Sequence, residues 1–201
     1  EIRNTKFKRA VQTISYMPYF ISMVIICGLI KTFCQSDGII TDLVVALGGE
    51  RVNLLASKNW FYPIYIISNI WQNIGWDSII YLAALAGIDQ EQYEAARVDG
   101  AGRIRQIISV TLPGLMPTIT ILFILKMGNI LNVGFEKILL LYSPTTYEVA
   151  DVISTYVYRI GILDANFSYS TAIGLFNSVV NIIFLLLTNA LSKKMNNSGL
   201  F

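Results

Sequence analysis

Residues 11–33, 60–85, 115–141 and 172–191 form four long apolar stretches in which charged side chains are scarce. A helix rising 1.5 Å per residue needs about 20 such residues to cross a hydrocarbon core of roughly 30 Å, so each stretch can span a bilayer with some tilt. Burying all four inside a water-soluble chain of 201 residues would leave little to face water. The composition agrees: 54% of residues are hydrophobic and 14% charged, against about 25% charged in ordinary soluble domains. Lipid offers bare backbone amides no hydrogen bonds, so spans are helices or closed barrels, and these stretches are too long for the short alternating strands of a barrel. The expected fold class is all-α: a polytopic membrane protein with four transmembrane helices, forming one domain over residues 1–201.

Basic side chains orient the spans. Arg3, Lys6, Lys8 and Arg9 precede the first stretch, Arg97, Arg103 and Arg105 lie between the second and third, and Lys193 and Lys194 follow the fourth. The intervening loops hold only Arg51, Lys58 and Arg159. Positive charge gathers on the cytoplasmic side, so the richer flanks, and with them both ends of this chain, are expected inside. Tyr16 and Tyr19 on the inner side, and Trp60, Phe61, Tyr62, Tyr142 and Tyr147 on the outer, fit interfacial belts. The outer loops, 35–59 and 143–170, contain short apolar patterns at 39–47 and 149–162 that fit either surface helices or a covering loop; Gly48 and Gly49 read as a turn.

Several function classes fall away. A net charge of +2, carried by dispersed basic residues, argues against nucleic-acid binding. Histidine is absent, which removes His-based catalysis and His-ligated metals. Cys27 and Cys34, seven residues apart, share a helical face and read as packing residues, with no CxxC pair or disulfide framework. Residues 1–9 are polar and basic and lead into a stretch too long for a cleavable signal, so an anchor is expected. The chain opens on Glu rather than Met, which fits a longer gene product.

The most informative segment is the expected cytoplasmic loop 89–117, DQEQYEAARVDGAGRIRQIISVTLPGLMP. Asp89 can cap a helix over 90–98, with Gln92 placed to complete a capping-box-like pair. Gly100 interrupts that helix, and a second over 101–111 is expected to end where Pro113 removes a donor and Pro117 lets the chain re-enter the membrane. Two short helices about a Gly turn make a compact docking knob. Ala95, Ala96, Gly100 and Ala101 allow close approach of a partner backbone, while Glu94, Arg97, Asp99, Arg103 and Arg105 supply polar contacts. The plainer reading, on composition alone, is a solvated loop with incidental helix formers.

The order of residues resembles the signature loop of the permease subunits of binding-protein-dependent ABC importers. That pattern runs Glu-Ala-Ala, three residues, Gly, nine residues, Ile, one residue, Leu-Pro. Glu94, Ala95, Ala96, Gly100, Leu112 and Pro113 fall in register with it, and Val110 stands where Ile is usual. The runs FKRAVQTISYMPYFIS, NIWQNIGWDSIIYLAAL and ILNVGFEKILLLYSPTTYEVADVISTYVYR are similar to the carbohydrate branch, closest to permeases for oligosaccharides and polysaccharide fragments. The likeness covers essentially the whole chain and implies six spans in the full-length protein, about two of them ahead of this chain.

The resemblance further implies a coupling helix that fits a groove on a separate ATPase. Residues 94–101 would be the ridge carrying force, with Glu94 for polar contact, Ala95 and Ala96 for close fit, Gly100 for the turn, and Asp99, Ala101, Leu112 and Pro113 completing the motif. Gly100→Asp is expected to uncouple hydrolysis from transport by adding bulk and charge there. The implied partners are a second homologous permease, an ABC ATPase dimer, an extracellular or periplasmic solute-binding protein, a sugar and membrane lipid. No G-x-x-x-x-G-K-[ST] loop occurs here, so ATP and Mg would be bound by the partner ATPase, and this chain is expected to be a non-catalytic subunit in the bacterial cell membrane with no cofactor of its own.

Polar residues inside spans are costly in lipid and mark candidate substrate paths. Asn69, Asn73, Trp76 and Asp77 fall near one helical face and combine amides with an aromatic surface suited to sugars. Asn129 and Asn132, with Lys126 and Glu136, recur at helical intervals in the third stretch. Packing between helices through buried amides explains both sets equally simply. Rival functions are an ABC permease for another solute class, an ATP-independent secondary transporter, and a membrane enzyme for which no nucleophile–base pair is visible.

Overall fold

The computed structural model describes residues 4–196 and 199–200; Arg3, one of the flanking charges, lies outside them. Among the described residues every regular element is helical. The helices are α1 (Thr5–Tyr16), α2 (Met23–Phe33), α3 (Ile39–Ala46), α4 (Lys58–Ala86), α5 (Gln90–Val98), α6 (Arg103–Gln106), α7 (Leu112–Met127), α8 (Phe135–Leu141), α9 (Tyr147–Ala150), α10 (Ile153–Tyr158) and α11 (Phe167–Asn196). The expected all-α class is thus the observed one among the described residues. The chain forms two compact units, one of Glu1–Trp76 with Leu131–Asn177, the other of Asp77–Ile130 with Ser178–Phe201.

In the first unit, Asn4 caps α1 by accepting from the backbone N–H groups of Lys6 (3.1 Å) and Phe7 (3.2 Å). The helix then tightens into a 3-10 turn, Met17–Phe20, with Pro18 near its start, and Ile21 is extended. Across this break the axis turns by 98°, so the first apolar stretch is a broken pair rather than one straight rod. The core gathers Cys27, Cys34, Leu54, Leu55, Phe61, Ile138, Leu141 and Ala150. Both cysteines are free and buried within it, which bears out their reading as packing residues. The short apolar patterns expected outside form helices, α3, α9 and α10, and Gly48 takes a left-handed φ of +91° at the turn.

The third stretch differs from expectation, its residues to Ile130 belonging to the second unit and those from Leu131 to the first. A helix over residues 115–141 was expected, but α7 ends at Met127, Gly128 caps it, and α8 is a separate helix starting after Gly134. Gly134 has φ +41°, and the Tyr65 hydroxyl occupies the space a Cβ would need. The helix also begins earlier than expected. Pro113 does not end it; a π-helical turn, Ile107–Thr111, widens the backbone just before Pro113 and gives its ring room, so α6, the π turn and α7 run on as one 25-residue helix, Arg103–Met127.

Among the described residues, Arg103–Met127 and Phe167–Lys194 are long and apolar enough to cross a membrane, and the broken pair makes a third if it counts as one span. Four were expected. Helix α4 has the length, 29 residues, but Asn69, Gln72, Asn73 and Asp77 dilute its apolar character.

Candidate functional site

The loop at 89–117 folds as a helix, a glycine turn and a second helix. Helix α5 is built from strong helix formers, and the Asp89 carboxylate accepts from the Glu91 N–H at 3.0 Å to cap it. Its end is a Schellman turn: the Gly100 N–H reaches Arg97 O at 3.0 Å and the Ala101 N–H reaches Ala96 O at 2.9 Å, with Gly100 at φ +74°. The Gln106 side chain then donates to Ala101 O at 2.8 Å, satisfying the carbonyl that follows the turn. A Cβ at Gly100 would meet no atom of this chain within 4 Å, and the positive φ favours glycine there by backbone conformation.

The motif residues divide by exposure. Glu94, Ala95, Asp99, Gly100, Leu112 and Pro113 are exposed, Ala96 and Ala101 are half-buried, and Val110 is buried. The knob also presents two side chains that the sequence reading passed over, Val98 at 88% exposure and Ile104 at 75%. They sit beside Arg97, Arg103 and Arg105, so the outer surface of the turn pairs apolar contact area with positive charge. Their signal was available: two branched apolar residues flank a polar turn that periodicity leaves without a core to enter.

The candidate path residues are placed separately. Asn73 donates to the carbonyl of Asn69 at 2.9 Å and to its side-chain oxygen at 3.1 Å, along one face of α4. Trp76 stacks on Tyr19 with ring centroids 4.5 Å apart and planes 2° from parallel, and meets Phe20 edge-on. Asn132 accepts from Asn177 at 3.1 Å, and Asn129 donates to Leu125 O at 3.3 Å. Asp77 is exposed and belongs to the second unit.

Two further polar centres lie in the first unit. Lys137 is 1% exposed and donates to the Gln72 carbonyl oxygen at 3.2 Å, tying α8 to α4. On the segment expected outside, Arg159 holds Asp151 through two bonds of 3.3 and 2.5 Å, while the Tyr147 and Tyr156 rings flank its guanidinium at 5.4 and 5.6 Å. Partial burial pushes the Asp151 carboxyl up, but bonds from Arg159 and Thr155 outweigh it and hold the group below the usual carboxylate range. Arg159 had counted only toward topology, because its partner and the flanking rings come together only in the fold.

Residues 2–197 match the family described as binding-protein-dependent transport system inner membrane component. The chain belongs to that family. It is 45% identical, over its whole length, to the polygalacturonan/rhamnogalacturonan transport system permease protein YteP of Bacillus subtilis (strain 168), and equally to protein LplB of the same organism. It spans 63% and 64% of the lengths of these two curated relatives. Among solved structures it resembles a chain of a bacterial alginate ABC transporter, crystallised in complex with an alginate pentasaccharide-bound periplasmic protein, with a TM-score of 0.95 and 48% identity, over 100% of this chain and 70% of that one.

Proposed function

We propose that this chain is part of the permease subunit of an ATP-driven importer, and that its cargo is an acidic oligosaccharide handed over by an external binding protein. The observation that carries the reading is the folded loop: an exposed helix ending in a left-handed glycine turn, with the family's Glu94, Ala95, Ala96, Gly100, Leu112 and Pro113 in register. Such a knob, with exposed Val98 and Ile104 beside basic residues, suits a groove on a separate ATPase subunit that binds ATP and Mg. The acidic cargo is supported by the relatives, one named for polygalacturonan and rhamnogalacturonan, another involved in import of the acidic polysaccharide alginate.

In this reading α4 joins the other membrane helices as a fourth span, residues 1–201 act as one permease domain, and both ends of the chain face the cytoplasm. A second homologous permease and an ATPase dimer complete the assembly. ATP binding and loaded binding protein favour the same orientation of the permease pair, and each does so only as far as it discriminates between the two states. The test is uptake by proteoliposomes holding the full-length permease pair and its ATPase. Oligogalacturonate with its binding protein should accumulate only with ATP inside the ATPase-facing compartment, and a neutral oligosaccharide of equal length should not. Accumulation without ATP, or equal uptake of both sugars, sinks the corresponding half of the proposal.

A further inference from the structure

Within the second unit, helix α5 is held to the helix that follows it by few contacts. No residue of α5 is fully buried. Its covalent link to α6 passes through Gly100 and Gly102, and a Cβ at either would meet nothing within 4 Å. The Schellman turn and the Gln106–Ala101 bond order this link, but they brace α5 only at its C-terminal end, where the surroundings of both glycines are open. Two contacts bypass it. Ile88, just before α5, packs on Gly114 so closely that a Cβ there would lie 2.7 Å from its Cδ1. The Tyr93 hydroxyl, from the middle of α5, shares a hydrogen bond of 2.9 Å with the Thr111 hydroxyl, and both residues are half-buried.

Thr111 occupies a particular place. It closes the π turn Ile107–Thr111, where the Leu112 N–H bonds Ile107 O five residues back. A π turn is one extra residue wound into an α-helix, a local departure from the i→i−4 ladder that recurs at functional sites. Thr111 thus joins α5 to the long helix at the one place among the described residues of Arg103–Met127 where the ladder is irregular. Resting on the importer reading, we infer that the Tyr93–Thr111 bond is the tether through which movement of α5 reaches the membrane-crossing helix Arg103–Met127, with Tyr93 a positioning residue for transport.

The test uses the full-length permease pair with its ATPase in proteoliposomes and reads sugar taken up per ATP hydrolysed, alongside ATPase retained on purification. Tyr93→Phe and Thr111→Val should each lower the uptake-to-hydrolysis ratio by about fivefold, the scale of one lost hydrogen bond. The double variant should fall no further than either single one, because both remove the same bond, and Thr111→Ser should keep the wild-type ratio. A merely structural role would lower uptake and hydrolysis together and leave their ratio unmoved. An unchanged ratio in both single variants overturns the tether, as does a double variant whose loss multiplies. If both variants shed the ATPase, the pair is an assembly contact and the tether is again overturned. Absence of ATP-dependent uptake in the wild type would instead remove the importer reading itself.

Discussion

Gly100 separates two physical accounts of the knob. If bulk at the turn were the problem, substitutions would rank by size, with Ala mildest and Asn worse. The structure gives the opposite order. Space around a Cβ is open, but φ is +74°, where a side chain costs roughly 1–2 kcal/mol for an ordinary L-residue and less for Asn, which visits this region readily. Gly100→Asn should therefore stay near wild type. Gly100→Ala should lose about 1 kcal/mol of preference for the turn, a factor of about five in its population, and β-branched Gly100→Val should lose more. Hydrogen-exchange protection over residues 96–101 of the purified permease without its ATPase reads the ranking. Ala equal to Gly, or Ala better than Asn, would refute the backbone argument.

Gly75 packs against the backbone carbonyl of Ser15, so Gly75→Ala should destabilise by about 1–3 kcal/mol, read as a lower melting temperature of the purified protein in detergent. Lys137 and Gln72 should respond unequally: Gln72→Leu strands a buried cation and should lower the melting temperature most, Lys137→Met leaves only the buried Gln72 amide oxygen unpaired and should lower it less, and the double replacement should return it toward wild type. The Asp151 carboxyl is depressed in the folded state, so its stabilising contribution is complete above its ordinary value of about 3.9 and is lost as pH falls through the lower folded value. Hydrogen-exchange protection over residues 147–163 should accordingly hold from pH 7 to about 5 and weaken below about 4, and Asp151→Asn should abolish that dependence.

The sequence makes the helical class, the span at 172–191, the Asp89 cap and the Gly100 turn legible, because each rests on local chemistry: apolar run length, a capping carboxylate, a residue free to adopt positive φ. The bounds of α5 follow from those signals alone. The third stretch was misplaced because hydropathy averages over Gly128 and Gly134, which end one helix and begin another, and because a π turn can absorb Pro113 without a break. The 98° bend has a local cause in Pro18, but its angle depends on packing such as Gly75 on Ser15. Contacts between residues far apart in the chain left no periodic trace. Lys137 with Gln72 and Tyr93 with Thr111 belong to this group.

The most direct test of the coupling role assigned to the loop is ATP hydrolysis by the full-length permease pair and its ATPase in proteoliposomes, with and without oligogalacturonate-loaded binding protein, in wild type and Gly100→Val. Loaded binding protein should stimulate hydrolysis in the wild type, and the variant should lose that response. A rate indifferent both to binding protein and to the substitution would contradict it.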